Sequence, residues 1–150
     1  MILLKKDIKK LVSYYVRKYG TTDPFEIADA LGIIVQIGKL GFEGCYMFLN
    51  NHRCIFLNED LSEHDRLLVM SHELGHAIMH RKDNCYFIRN QTLLLNSKKE
   101  IEANTFAMHL LITDDMLYEY KDYTMNQLSR LTGYEEKLIE LRLNQWEGLQ

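Results

Sequence analysis

Residues 71–80 read Ser71-His72-Glu73-Leu74-Gly75-His76-Ala77-Ile78-Met79-His80, and their spacing decides how the rest of the chain must fold. Residues four apart on a helix lie one turn apart on the same face, about 6 Å along the axis. His72 and His76 can therefore share one metal ion, while Glu73 between them points at a water beside it. Zinc lowers the pKa of such a water toward neutrality, and Glu73 can take its proton as general base. Three fixed residues also recur by chance. The reading therefore requires a helix, a third ligand and a cleft.

The neighbouring residues support the helix. Ser62 can cap it, and Glu63 and Asp65 suit the positive end of its dipole. Up to about Arg81, Leu67, Met70, Leu74, Ala77 and Ile78 form an apolar stripe, with Val69, His72, Glu73, His76 and His80 roughly opposite.

Upstream, a first helix is expected from Leu3 to Tyr19, ending at Gly20. Its apolar positions are Leu4, Ile8, Leu11, Val12 and Tyr15. Lys5, Lys6, Lys9, Lys10, Arg17 and Lys18, against the single acid Asp7, read as its solvated face. Asp23-Pro24-Phe25-Glu26 starts a second helix that stops at Gly32. Ile33–Ile37, Gly44–Leu49 and Arg53–Leu57 are β-rich, and Asn50-Asn51-His52 joins the last two as a hairpin. The expected sheet is small, antiparallel and three-stranded.

Downstream, residues 83–97 show no period and read as a loop or lid with a short strand at Cys85–Ile88. A helix follows from near Ser97 to Leu111, and Thr113-Asp114-Asp115 starts a short one. Thr124-Met125-Asn126-Gln127 has the form of a capping box, opening a helix that ends near Gly133. A last amphipathic helix carries Leu138, Leu141 and Trp146. The fold class is α+β, mostly helical around the central histidine-bearing helix. One domain, 1–150, divides into a catalytic core (1–112) and a helical C-terminal extension (113–150).

A catalytic zinc needs a third protein ligand and an open position. His80 lies eight residues from His72, about 12 Å of helix rise, too far to share the ion. It reads instead as supporting a ligand or ending the helix. His52 and His64 fall at surface positions, and His109 lies half a turn from Glu100. On the helix after the lid, Glu100 falls close to the stripe Ala103, Phe106, Ala107 and Leu110, whereas Glu102 points further away. A carboxylate aimed inward needs a partner. Glu100 is the candidate ligand and Glu102 the alternative. Asn104, one turn after Glu100, could orient a ligating imidazole through its amide oxygen. Tyr46 or Tyr86 could donate to an oxyanion, and the sequence does not choose between them.

The stretch His72–His80, followed by Glu100-Ile101-Glu102-Ala103-Asn104-Thr105-Phe106-Ala107 and Leu110-Leu111, resembles the ImmA/IrrE metallopeptidases. Thr22-Asp23-Pro24-Phe25-Glu26-Ile27-Ala28 and Leu31-Gly32-Ile33 look like the phage and integrative-element branch, so the likeness covers residues 14–112. It implies a zincin-like protease of the gluzincin kind, with Zn2+ held by His72, His76 and Glu100. It also implies a substrate, a helix-turn-helix repressor encoded nearby, whose inactivation releases a mobile element's genes. The sequence departs from the family where Ile112-Thr113-Asp114 replaces the proline that commonly follows the paired leucines. The tail vaguely resembles a helix-turn-helix, but Glu135, Glu136, Glu140 and Glu147 outweigh Lys137 and Arg142. Direct nucleic-acid binding is not expected.

Composition agrees with this reading. The 150 residues are 47% hydrophobic and 26% charged, with a net charge of −3, which does not favour nucleic acid as main partner. Cys45, Cys54 and Cys85 are odd in number and lack metal-site spacing, as free thiols in a reducing cytoplasm would. Met1-Ile2-Leu3-Leu4 is too short for a signal-peptide core, and no apolar run approaches a membrane span. The expectation is a cytoplasmic zinc peptidase making a limited regulatory cut. The rival is a protein that grips the repressor and displaces it without cutting.

Overall fold

In the computed structural model, which describes residues 5–87 and 97–144, seven helices and four strands follow one another. Helices α1 (Lys5–Tyr19) and α2 (Pro24–Ala30) lead into strands β1 (Ile34–Gly38), β2 (Gly44–Leu49) and β3 (His52–Asn58). Next come helix α3 (Glu63–Met79) and strand β4 (Cys85–Phe87). Helices α4 (Lys98–Leu111), α5 (Asp114–Glu119), α6 (Met125–Thr132) and α7 (Glu136–Leu143) complete the order. Leu4, Ile88 and Trp146, and most of the segment read as a lid, lie outside the described residues.

Side chains at the element ends set these boundaries. Asp23 accepts from the Phe25 amide at 2.9 Å with Pro24 in the first turn of α2, and Ser62 accepts from the Asp65 amide at 3.1 Å. Thr124 and Gln127 exchange both bonds of a capping box at 3.1 and 2.8 Å. Asn50 and Asn51 take φ values of 49° and 63° between β2 and β3, the left-handed pair that a two-residue hairpin turn requires.

The sheet differs from the expected one. It has four strands in the order β1-β3-β2-β4, and β1 runs parallel to β3, with Ile34 opposite Cys54 and Gly38 opposite Asn58. The other two pairings are antiparallel. The hairpin turns back so that β3, rather than β2, lies beside β1. Asn58 holds the connection across the sheet end: its Nδ2 donates to the carbonyls of Leu40 and Phe42 at 3.0 and 3.1 Å. None of these partners is local in sequence.

Helix α3 packs on β2 and β3 and also against α4, so residues 68–77 are buried all round rather than along one stripe. Gly44 is where the sheet approaches most closely. A Cβ there would stand 2.7 Å from Val69 Cγ1 and 3.0 Å from the Phe56 carbonyl oxygen. Gly44→Ala should therefore cost about 1–3 kcal/mol, the usual range for overpacking, read as a lower denaturation midpoint in urea. An unchanged midpoint would mean that the sheet can slide on α3.

Ile8 and Val12 of α1 are buried, as are Leu138, Ile139 and Leu141 of α7, which packs on α4 and α6. His64, in the first turn of α3, donates through Nε2 to the Thr132 carbonyl at 2.7 Å and stacks on Tyr134. The tail is thereby tied to the start of the central helix. Among the described residues no helix is long and apolar enough to cross a membrane.

Candidate metal centre

His72 and His76 stand one turn apart on unbroken α3, with their Nε2 atoms 3.1 Å from each other. Glu100 comes from the first turn of α4, which packs across them. Its carboxylate oxygens lie 2.8 Å from His72 Nε2 and 3.1 Å from His76 Nε2. The ligand atoms of these three residues all fall within 4.8 Å of one another. Both histidines are buried, while Glu100 keeps a fifth of its side chain exposed.

The protonation of the rings follows from what lies behind them. Asn104 Oδ1 is 2.7 Å from His72 Nδ1 and can only accept, so Nδ1 carries the proton and Nε2 a lone pair. The second chain is longer. Glu102 Oε1 accepts from His80 Nε2 at 2.9 Å, which leaves His80 Nδ1 as an acceptor for His76 Nδ1–H at 2.9 Å. His76 Nε2 is then also a lone pair. Burial holds His80 below the ordinary histidine range despite its bond to Glu102, in keeping with a neutral ring. Two imidazole lone pairs and a carboxylate thus converge on one point, an arrangement that repels itself unless a cation stands there. The donor set fits a metal ion.

Glu73 is fully buried beside this group. Its Oε2 accepts a hydrogen bond from the Cys85 thiol at 3.1 Å, and Oε1 has no hydrogen-bond partner among the described residues. Burial pushes its carboxyl up to about 7, with His76 and Cys85 pulling the other way. Burial alone would also raise Glu100; only protons on His72 and His76 would hold it well below the usual carboxylate range, and with both Nε2 atoms as lone pairs that pull falls to a bound cation. Burial and the neighbouring Glu73 drive the Cys85 thiol far above its ordinary value, so it stays protonated and donates.

Of the candidates named from the sequence, His72, Glu73, His76 and Glu100 come together. Asn104 and His80 stand directly behind the two imidazoles. Glu102 lies away from the convergence point, on His80. The Tyr46 hydroxyl donates to the Arg81 carbonyl, and Tyr86 is half exposed with its ring against Phe42. His109 is buried elsewhere on α4. Two residues at the site were not anticipated. Cys85 touches Glu73, and Phe87 meets the His72 ring edge-on at 5.0 Å. Strand alternation, which puts 85 and 87 on one face of β4, was the available signal.

Asn104→Ala would free the His72 ring to rotate and exchange tautomers. Metal affinity should fall about 10- to 100-fold, read by competition with a chelator. Unchanged affinity would mean that packing alone orients His72.

Comparison with known proteins agrees with this geometry. The IrrE N-terminal-like domain, a peptidase family, matches residues 28–144. The chain belongs to the ImmA/IrrE family of metallopeptidases. It is 35% identical over 139 residues to "Uncharacterized immunity region protein 2" of Bacillus phage phi105, covering 90% of this chain and 88% of that one. It is 32% identical over 125 residues to "Metallopeptidase ImmA" of Bacillus subtilis (strain 168), covering 81% and 73% respectively. Family membership implies a metal and a protein substrate. The family match runs on through α5, α6 and α7, past residue 112 where the likeness read from the sequence stopped.

Proposed function

We propose that this protein is a zinc-dependent, zincin-like peptidase that makes a limited regulatory cut in a helix-turn-helix repressor and so acts as the anti-repressor of a mobile element. The observation that carries the reading is the convergence of His72 Nε2, His76 Nε2 and the Glu100 carboxylate, with the buried Glu73 beside them. The phage relative's name, an immunity region protein, supports a regulatory protein substrate.

His72, His76 and Glu100 would hold the ion, and Zn2+ would there supply Lewis acidity toward a water and a scissile carbonyl. Glu73 takes the proton from the attacking water and passes it to the leaving amine. Burial raises its carboxyl above the ordinary range and so strengthens it as a base. Cys85 holds Oε2, leaving Oε1 as the acceptor for the incoming proton. Access is through a cleft of about 320 Å³ lined by His76, Cys85, Lys82, Lys99 and Glu100. Asp83 and Lys99 form an ion pair at this cleft.

The experiment is incubation of the purified protein with a candidate helix-turn-helix repressor, followed by gel and mass analysis. A shortened repressor is expected. An intact repressor that co-elutes with the protein and leaves its DNA would instead establish the non-cleaving reading.

A further inference from the structure

The basic face of α1 is not simply solvated. Lys9, Ser13 and Arg17 line an open cavity of about 550 Å³, whose other walls are residues of α4, α5 and α7. That volume lies within the usual range for small-molecule sites. None of His72, Glu73, His76 and Glu100 lines it. His109 does, nine positions after Glu100 on α4, which places it about 13.5 Å further along the helix.

We propose that this cavity binds a small organic anion, with its charged oxygens held by Arg17, Lys9 and Arg142 and its apolar body against Val12 and Val16. Two buried polar residues sit on its walls. His109 is 6% exposed, and its Nε2 has no hydrogen-bond partner among the described residues. Arg142 is 2% exposed, donating through Nε to the Ile112 carbonyl at 2.6 Å and through Nη2 to Asp114 at 2.5 Å. An unpartnered buried imidazole is costly unless something polar meets it.

The charges favour an anion. Lys9, Arg17 and Arg142 face Asp114 and Asp115, and Asp114 is already engaged by Arg142 and by Lys9 at 3.7 Å. That carboxylate shows how an anionic oxygen lodges between these cations. Arg17 reaches the Ser13 carbonyl of its own helix at 3.5 Å, a long contact that a ligand would readily replace. The field at His109 points the same way. Burial, Arg142 and Lys9 press its pKa down to about 3, and only Asp114 opposes them. The wall formed by Val12 and Val16 has no use for a bare inorganic ion, which is why the ligand is organic.

The test is calorimetric titration of the full-length protein with hexanoate, hexyl phosphate, inorganic phosphate and hexanol. Saturable one-to-one binding of hexanoate or hexyl phosphate in the millimolar range or tighter is expected, and none of hexanol. Whichever of the two anions binds more tightly identifies the head group. Arg17→Glu, at an exposed position that does not endanger the fold, should weaken binding at least tenfold. His109→Phe, which keeps an aromatic ring and removes its polar atoms, should also weaken it. The proposal is overturned by the absence of any saturable heat or by equal binding of hexanol. Inorganic phosphate binding as tightly as hexyl phosphate, or affinity unchanged in Arg17→Glu, would overturn it too.

Discussion

Glu73→Gln will keep its metal and lose hydrolysis, the rate falling about 10²–10⁴-fold, the range contributed by a positioned general base. The substitution preserves shape in a site with no spare room, since Glu73 is fully buried. Its amide oxygen can still accept from Cys85, which holds Oε2 at 3.1 Å in the wild type. What disappears is the basic lone pair at Oε1. His72, His76 and Glu100 are untouched, so elemental analysis should give the same metal per chain as wild type while repressor cleavage stops. Metal lost along with activity would make Glu73 a ligand or a structural residue. An unchanged rate would remove it from the chemistry.

The same pair of proteins tests the environment of Glu73 once the metal is chelated away. Burial raises its carboxyl from 4.5 to about 7. The folded chain therefore holds this proton more tightly than the unfolded chain does. Stability from this group is full below about pH 4.5 and drains away as pH rises through about 7. Glutamine does not titrate. The Tm of Glu73→Gln minus that of wild type should therefore grow between those pH values. His80 and His109, depressed by burial and set by groups other than Glu73, add stability as pH rises. These contributions are common to both proteins and cancel. A Tm difference that stays flat with pH would mean that water reaches the carboxyl.

Much of this arrangement was written locally in the chain. Ser62 and the Thr124–Gln127 box mark helix starts because capping partners lie within three residues. Asn50-Asn51 marks its turn because few other residues tolerate two positive φ angles in succession. Counting 100° per residue ranked Glu100 above Glu102 and Glu100 does approach both imidazoles, but Glu102, expected to point away, is the more buried of the two, turned onto His80. Strand order was not legible. β-rich composition marked 33–37 as a strand, but its parallel pairing with β3 depends on Asn58 reaching back to Leu40 and Phe42. The two-sided burial of α3 was hidden for a similar reason. A histidine on a buried face looks polar in a helical wheel until the helix that covers it is known. Cys85 was read only as a free thiol because one thiol carries no pattern, and only the fold brings it to Glu73. The basic face of α1 looked solvated because the cavity beside it is made by residues a hundred positions away.

Glu100→Ala will strip the metal, whereas Glu102→Ala will keep it with affinity weakened about 10- to 100-fold, as for loss of a group behind a ligand. The two glutamates are two residues apart on α4, about 200° around the helix, and cannot both face the convergence point. Glu100 lies 2.8 and 3.1 Å from the two Nε2 atoms, and its removal leaves two imidazoles where a catalytic zinc takes three protein ligands. Glu102 acts two steps away. Without its carboxylate, His80 is no longer held with its proton on Nε2. It can then present Nδ1–H to His76 Nδ1, forcing the His76 proton round to Nε2, where the metal should bind. Each binding event must first reverse that tautomer, which weakens affinity without removing a ligand. Metal titration at saturation should thus give one ion per chain in Glu102→Ala and none in Glu100→Ala. His80→Ala should resemble the former, since it breaks the same chain one link closer to His76. Stripping by Glu102→Ala with retention in Glu100→Ala would transfer the ligand role to Glu102 and leave the approach of Glu100 to both imidazoles as packing.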